Sequence, residues 1–281
     1  MDKAEQAAKA EAFRALHRAP PLLLMANAWD AVSARIFEME GFAAVATTSG
    51  GVSWALGHAD GEAAPWDEVV GQTARIARAV AVPVTADIEA GFGATPQAVG
   101  RSIGDIIGAG VVGVNLEDGM PGPTPIRAVE DAVARIRAAR EAARAAGMPI
   151  VINARTDVYI KNLGDEESRF DEAVARGRAY LAAGADCFYP ITLRDPATIG
   201  RLAKALGAPI NINVRAGYPS VAELEALGVA RVTTATQLTL VALDATRRVA
   251  RDIKATGRFD AINPAIGHPE MQQLLAPKRS G

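Results

Sequence analysis

The feature that most constrains the fold of this chain is a pattern that occurs eight times. A short run of apolar and β-branched residues is followed by a polar turn and then, in most repeats, by an Ala-, Arg- and Glu-rich stretch with helical period. Such apolar runs are typical of strands that are buried on both faces of a parallel sheet. The predicted strands are residues 22–26, 43–47, 82–88, 111–116, 149–154, 187–191, 209–214 and 230–234.

Helical segments separate most of these strands. The predicted helices include residues 66–79, 95–109, 126–146, 166–183, 195–206 and 220–227. Strands that alternate with helices indicate βαβ units and a parallel sheet. Eight strands within 281 residues favour a single (β/α)8 TIM barrel that forms one domain over residues 1–281. No G-x-G-x-x-G motif follows the first strand, which argues against a Rossmann fold.

The C-terminal part of the chain exceeds what a barrel needs. A long helix is predicted over residues 240–255, with a break at Gly257 and a short segment over 264–275. We therefore treat residues 240–281 as a helical extension of the barrel domain. Such an extension is suited to packing on a neighbouring subunit.

Composition and charge exclude several classes of function. The net charge of −2 and the absence of a basic patch argue against a nucleic-acid partner. Four arginines at positions 135, 137, 140 and 144 alternate with Ala and Glu, so we interpret them as the solvated face of a helix. The sequence contains no long uncharged apolar stretch, so no membrane span is predicted. Residues 1–19 lack the apolar core of a signal peptide. The single cysteine, Cys187, is expected in the core and favours a reducing, cytoplasmic location.

Acidic residues end two neighbouring strands of the predicted barrel. In this fold the active site lies at the carboxyl ends of the strands. Asp87 and Glu89 are two residues apart and share a face, and Glu117 ends the next strand. Three carboxylates this close raise one another's pKa values, and a bound cation removes that cost. Oxygen ligands suit Mg2+ or Mn2+. The alternative is that these acids pair with arginine or cap the next helix.

Two further strand ends predict an anion-binding site. Ser49, Gly50 and Gly51 would present backbone N–H groups to an oxyanion or carboxylate, although a plain turn is an equal alternative. Arg155 is a cation at the end of the fifth strand and would bind carboxylate or phosphate. Its alternative role is an ion pair with Asp157 or Glu117. The Gly- and Pro-rich segment 118–124 is either a lid or an ordinary surface loop.

Five stretches of the chain carry a resemblance to a known family. They are Thr47-Thr48-Ser49-Gly50, Gly57-His58-Ala59-Asp60-Gly61, Asp87-x-Glu89-x-Gly91-Phe92-Gly93, Asn115-Leu116-Glu117-Asp118 and Asn153-Ala154-Arg155-Thr156-Asp157. Together they resemble the isocitrate lyase/phosphoenolpyruvate mutase superfamily. The resemblance covers about residues 20–255 and implies a (β/α)8 barrel whose last helix is exchanged between subunits, commonly in a dimer of dimers.

The resemblance also implies roles for individual residues. Asp87 corresponds to the direct Mg2+ ligand, and the acids that hold water molecules around the metal correspond to Asp60, Glu89 and Glu117. For the substrate, it implies that Ser49, Gly50 and Gly51 hold a carboxylate or oxo oxygen and that Arg155 grips the molecule. Trp29 resembles an aromatic wall, and Asn213 falls where lyase-type members bind a carboxylate. The implied substrate is a small α-oxo acid or an acid that yields one.

This chain departs from both well-understood branches of the superfamily. Lyase-type members carry a Lys-Lys-Cys-Gly-His-like loop after the Glu-Asp pair, whereas residues 119–127 of this chain contain neither Cys nor Lys. Those members also have a Glu after the strand-six proline, where this chain has Ile191. Phosphonate-handling members carry a Lys-containing loop and a His near strand six, and both are absent. The motifs therefore do not identify the reaction.

Three functions are compatible with this sequence. The first is a Mg2+-dependent C–C lyase, decarboxylase or hydrolase that acts on a small α-oxo or 2-hydroxy acid through an enolate-like oxyanion. Its catalytic residues would include Arg155, and the candidates for the general acid or base are Glu117, Asp118, Tyr189 or a water held by the metal. The second is a phosphonate or phosphoenolpyruvate mutase. The third is a non-catalytic protein that binds an α-oxo acid.

Overall fold

The structure is a nearly closed barrel of eight parallel strands. It is a computed structural model that describes residues 2–18, 20–120 and 126–276. The strands follow the order β6-β5-β4-β3-β2-β1-β8-β7, and a single parallel bridge between Phe188 and Ile210 joins the two ends. The strands are β1 Leu23–Ala28, β2 Val45–Thr47, β3 Val84–Asp87, β4 Gly113–Glu117, β5 Val151–Thr156, β6 Cys187–Pro190, β7 Asn211–Asn213 and β8 Arg231–Thr233. All eight predicted strands, and the predicted fold class, are confirmed.

Eleven helices surround or extend this barrel in the described part of the chain. They are α1 Lys3–Ala15, α2 Ala31–Met39, α3 Ser49–Ala55, α4 Trp66–Ala79, α5 Pro96–Gly108, α6 Val129–Ala145, α7 Glu166–Ala182, α8 Pro196–Leu206, α9 Val221–Ala226, α10 Gln237–Thr256 and α11 His268–Leu275. None of them is long and apolar enough to cross a membrane. Capping side chains fix several helix starts, such as Ser220, which forms a reciprocal capping box with Glu223.

The helix predictions were accurate where an apolar period extends over several turns. α4 has the predicted bounds, but α6 begins three residues late because Ile126 is still extended and bridges Gly119. The predicted turn at Ser49-Gly50-Gly51 is the first turn of α3. The interpretation of four α6 arginines as a solvated face is wrong for two of them. Arg135 is only 2% exposed, and Arg140 pairs with Asp186 in a largely buried contact.

The interior of the barrel is polar, whereas the outer face of the sheet is apolar. Arg231 of β8 donates to the Asn115 side chain of β4 at 3.1 Å, a contact that crosses the barrel because these strands are not neighbours. Asn153 donates to the same Asn115 oxygen at 2.8 Å. Val114 and Ile152 alternate with these residues and belong to the buried apolar cluster. Cys187 is buried as expected.

Helix α1 closes the end of the barrel where the strands begin. Phe13 is fully buried there, and a Cβ added to Gly113 would lie 2.8 Å from its ring, so only glycine leaves room for it. His17 accepts at Nε2 from Arg231 at 3.4 Å, while its Nδ1 donates to the Phe13 carbonyl at 2.9 Å. Because arginine only donates hydrogen bonds, these partners fix the neutral imidazole tautomer.

The C-terminal extension contains the long helix that the sequence predicts. α10 ends at Thr256, and the φ of +68° at the next residue, Gly257, provides a left-handed cap. Leu240, Val241 and Leu243 on α10 are exposed in the single chain. α11 returns to the barrel, where Leu274 is buried and its carbonyl accepts from Arg35 at 3.0 Å. Residues 277–281 of the predicted extension lie outside the described residues.

Candidate active site

Strands β3 to β6 each carry one predicted site residue at or next to their carboxyl end, namely Asp87, Glu117, Arg155 and Tyr189. Backbone register pairs Asp87 with Asn115, Glu117 with Arg155, and Arg155 with Tyr189. Asp87 and Glu117 are the last residues of their strands. Parallel neighbours with this register bring their side chains to the same edge of the barrel. The acids and the arginine that the sequence singles out therefore lie together.

Asp87 has one satisfied and one unsatisfied carboxylate oxygen. Its Oδ2 accepts from the Ser49 backbone N–H at 3.0 Å, and its own N–H donates to Thr47 Oγ1 at 2.8 Å. Its Oδ1 is buried and has no hydrogen-bond partner among the described residues. A buried carboxylate oxygen without a partner is costly, by more than the ~1–3 kcal/mol of a neutral group. A cation bound at Oδ1 would remove this cost, so the site fits a divalent metal ion.

Three other acids surround Asp87. Burial, followed by the charge of Asp87, raises the pKa of Glu89 to about 8. Partial burial and the same charge raise the pKa of Asp60 at the exposed rim. Burial also raises the pKa of Glu117, although its ion pair with Arg155 opposes this shift. A bound cation would favour the charged forms of all these groups.

The acids are not arranged as a set of direct metal ligands. Within the described ranges, no three His, Cys, Asp or Glu side chains are grouped so that they could hold a metal ion. This spacing suits an ion with one direct carboxylate ligand and other acids that act through water, as Mg2+ sites commonly do. The roles of Asp60, Glu89 and Glu117 as metal-site residues remain predictions.

Arg155 lies between two acids. Its Nη1 is 2.6 Å from Glu117 Oε2, and its Nε donates to Asp157 Oδ1 at 2.7 Å. Both ion pairs of the alternative interpretation are thus formed. Burial alone would lower the pKa of Arg155, but the charges of Glu117 and Asp157 raise it, so it stays protonated. Its Nη2 has no partner in the part of the chain that the structure describes, which leaves one donor edge for a substrate.

Asp118 is enclosed by hydrogen bonds. Its Oδ2 accepts from Tyr180 at 2.6 Å, from Thr156 at 2.7 Å and from Arg176 at 3.1 Å, while Oδ1 accepts from the Asp157 N–H at 2.8 Å. Its side chain is fully buried. This geometry favours a structural role over the predicted catalytic one. Residues 121–124 of the predicted lid lie outside the described residues.

Tyr189 and Asn213 each keep a polar atom without a described partner. Burial raises the pKa of Tyr189 despite the opposing charge of Arg155, so the phenol stays protonated. No described residue hydrogen-bonds to its hydroxyl. Asn213 accepts at Oδ1 from the Thr192 N–H at 2.9 Å, which orients its amide while Nδ2 has no described partner. Both side chains therefore have a donor for a ligand.

The first turn of α3 packs too tightly for side chains. A Cβ on Gly50 would lie 3.2 Å from Asp60 Oδ2. A Cβ on Gly51 would lie 2.9 Å from the Cβ of Trp29 and 2.8 Å from Thr239. The backbone of this turn thus approaches the acidic cluster closely. The Trp29 ring packs edge-on against Phe37, and its role as an aromatic wall stays a prediction.

Sequence reasoning missed two residues that support the site. Arg135 of α6 donates to the carbonyls of Gly93 at 2.8 Å and Ala94 at 3.0 Å, which braces the loop after β3. The helical period of α6 could have predicted its burial, because Arg135 directly precedes buried Ile136 and lies three residues after buried Ala132. Glu62, two residues after Asp60, contacts the same loop, and no pattern in the sequence marks it.

The chain is similar to several known proteins. The family model described as phosphoenolpyruvate phosphomutase matches residues 13–254. The 2-methylisocitrate lyase of Escherichia coli (strain K12) is 31% identical over 214 residues, which cover 73% of this chain and 69% of that protein. The oxaloacetate decarboxylase of Rhodopseudomonas palustris (strain BisB18) is 30% identical over 273 residues, which cover 93% and 87%.

A solved structure matches almost the whole chain. It belongs to a protein of Burkholderia cenocepacia J2315 that is classed provisionally as a lyase/mutase. The TM-score is 0.90 at 37% identity, and the match covers 98% of each chain. The barrel, its acidic mouth and the family model lead to one assignment. The chain belongs to the phosphoenolpyruvate phosphomutase family, within the isocitrate lyase/PEP mutase superfamily.

Proposed function

We propose that this protein is a Mg2+-dependent enzyme that acts on a small α-oxo acid or 2-hydroxy acid. The reaction would be a C–C cleavage, a decarboxylation or a hydrolysis that passes through an enolate-like oxyanion. The observation that carries the proposal is the buried, unpartnered Oδ1 of Asp87 in a cluster of acids beside Arg155. The relatives, which include a 2-methylisocitrate lyase and an oxaloacetate decarboxylase, support this class of chemistry.

The residues of the acidic cluster would divide the work of holding the cation. Asp87 would bind Mg2+, or Mn2+, directly, and Asp60, Glu89 and Glu117 would orient the water molecules around it. When bound, the ion supplies a positive charge beside the substrate oxygen on which negative charge develops. Because the acids are fixed before the substrate arrives, little reorganisation is needed at the moment of reaction.

Donors around the cluster would hold the substrate. The free Nη2 edge of Arg155 and the Asn213 amide suit a carboxylate, and charge-assisted bonds from arginine are the stronger of the two. Backbone N–H groups of Gly50 and Gly51 suit a second oxygen atom. Trp29 would contribute an apolar wall. These donors and the cation together match a small molecule with adjacent carboxylate and oxo groups.

Among the candidates, we propose Tyr189 as the proton donor. Asp118 accepts four hydrogen bonds in the buried network, and Glu117 is paired with Arg155. The Tyr189 hydroxyl is protonated and has no described partner. It would deliver a proton to the carbanion carbon that C–C cleavage or decarboxylation leaves behind. This role would replace the cysteine that the lyase-type loop provides.

We also propose a homo-oligomer, arranged as a dimer of dimers, in the cytoplasm. Leu240, Val241 and Leu243 expose an apolar face on α10 that a single chain leaves uncovered. Side chains of this kind are commonly buried against another subunit. Packing α10 on a neighbouring barrel would cover them.

A turnover screen by NMR tests the proposal. The panel contains oxaloacetate, 2-methylisocitrate, isocitrate, phosphoenolpyruvate and phosphonopyruvate, each with Mg2+. We expect turnover of a C–C substrate and a loss of kcat/KM of at least about 100-fold in Asp87→Ala. Asp171→Ala, which removes an exposed acid on α7, is the matched control. Turnover of phosphonopyruvate alone would favour a mutase, and binding without any turnover would favour a binding protein. Unchanged turnover in Asp87→Ala would contradict the proposed site.

A further inference from the structure

Two loops at the mouth of the barrel are tied together by one residue, Glu62. Its backbone N–H donates to Glu89 Oε2 at 2.7 Å, and its own Oε1 accepts from the Phe92 backbone N–H at 2.7 Å. Glu62 lies between α3 and α4, whereas Glu89 and Phe92 follow β3. We define the Glu62 latch as this pair of hydrogen bonds. Each bond has a carboxyl oxygen as its acceptor, and such bonds become stronger when the carboxyl group is ionised.

All three residues of the latch have strained backbones. The φ angles are +57° at Glu62, +51° at Glu89 and +48° at Phe92, although none is glycine. Non-glycine residues in this left-handed region are strained and persist only when their surroundings determine them strongly. The two hydrogen bonds join the strained positions to one another.

On one side of the Glu62 latch, Phe92 packs against another aromatic ring. On the other side, Glu62 is connected through the chain to Asp60. The Phe92 ring packs against Trp66 with centroids 4.7 Å apart, and Trp66 Nε1 donates to Asp105 at 3.0 Å. Asp60 lies two residues before Glu62, and the intervening Gly61 has a φ of +100° with open space around it. Glu62 therefore ties the segment with Asp60 to the loop after β3.

We propose that Glu62 is a positioning residue that sets the affinity of the site for a divalent cation. Its carboxylate holds the Phe92 backbone, and this contact keeps the Glu62 N–H in place for Glu89 and keeps Asp60 in place through the chain. This inference rests on the proposed metal-dependent function and deepens it. Glu62 itself does not touch the cation. Partners that orient metal-site residues typically contribute about 10–100-fold to metal affinity.

Mn2+ binding, measured by electron paramagnetic resonance and calorimetry, tests the latch without relying on turnover. We expect Glu62→Ala to raise the Kd for Mn2+ about tenfold. Glu62→Gln keeps the Oε1 acceptor for Phe92 and is expected to stay within about threefold of wild type. Glu62→Asp keeps the charge but is one methylene too short, so it should behave like Glu62→Ala and replaces that variant if Glu62→Ala does not fold. Hydrogen exchange at residues 88–93 should accelerate in the weak binders.

The three variants distinguish a positioning role of Glu62 from a purely electrostatic one. If Glu62→Gln binds as weakly as Glu62→Ala while Glu62→Asp binds normally, charge rather than position is responsible and the inference is overturned. If Glu62→Ala and Glu62→Asp both bind Mn2+ with wild-type affinity while Asp87→Ala abolishes binding, the proposed role of the Glu62 latch is wrong but the proposed metal site stands. A wild-type protein that binds no Mn2+ overturns the latch and the proposed function together.

Discussion

Replacing His17 with glutamine tests how the buried end of the barrel responds to acid. His17 is 4% exposed, and burial, followed by the charge of Arg231, lowers its pKa from 6.5 to about 4. The unfolded chain binds this proton below about pH 6.5, whereas the folded chain binds it only near pH 4. The stability that neutral His17 contributes is therefore complete above pH 6.5 and declines as the pH falls towards 4.

The two pKa values determine the size of the effect. The pKa of His17 is 6.5 in the unfolded chain and about 4 in the folded chain. Through proton linkage, this difference lowers the free energy of unfolding by about 2 kcal/mol between about pH 7.5 and pH 5. Because His17 is almost fully buried, solvent screening reduces this figure little. The glutamine variant lacks the titrating group, so its free energy of unfolding should fall by about 2 kcal/mol less than that of wild type over the same range.

Urea unfolding of both proteins at the two pH values, with a chelator present, measures this difference. Contributions from the acidic mouth cancel in the comparison because both proteins share it. His268→Gln, at an exposed histidine of α11, is the control and should follow wild type at both pH values. If wild type and His17→Gln lose the same stability on acidification, burial and the charge of Arg231 do not keep His17 neutral in the folded protein.

Two further predictions concern the site and α10. Tyr189→Phe should lower kcat by about 100-fold or more, because a general acid typically contributes about 10²–10⁴-fold to the rate. KM and the affinity for Mn2+ should stay near wild type. If steady-state assays find an unchanged kcat, Tyr189 is not the proton donor. Val241→Glu combined with Leu243→Glu should place charge on the exposed face of α10 and reduce the mass in solution to about the 29.3 kDa of one chain. Light scattering that finds the wild-type mass in this variant would argue against the swapped helix.

The periodicity of the sequence accounts for most of the fold that was predicted. Strands β1 to β8 were located to within two residues because buried parallel strands are continuous apolar runs between polar turns. α3 was not predicted, since Ser49-Gly50-Gly51 has poor helix propensity and becomes helical where the backbone must pass close to Trp29 and Thr239. Tertiary packing decided that segment.

Part of the candidate site could likewise be predicted from the sequence, and part of it depends on the tertiary structure. Asp87, Glu117 and Arg155 could be predicted because each ends a strand, and the parallel sheet brings such ends to one edge. The partners of those residues could not be predicted, because hydrogen bonds between distant parts of the chain leave no local pattern. Asp118 is the clearest example, since the sequence presents it as a free acid beside Glu117 whereas Tyr180 and Arg176 enclose it from α7.

The sequence alone determined the class of this protein: a parallel barrel with an acidic mouth and a single arginine beside it. Only the tertiary structure decided which polar side chains have hydrogen-bond or ion-pair partners within the protein and which remain available to a ligand. Arg135, Glu62 and Arg231 belong to the second group, because each is defined by contacts with loops or strands far away in the chain. Periodicity reports which face of an element is buried, but the satisfaction of a buried charge depends on partners that only folding brings within reach.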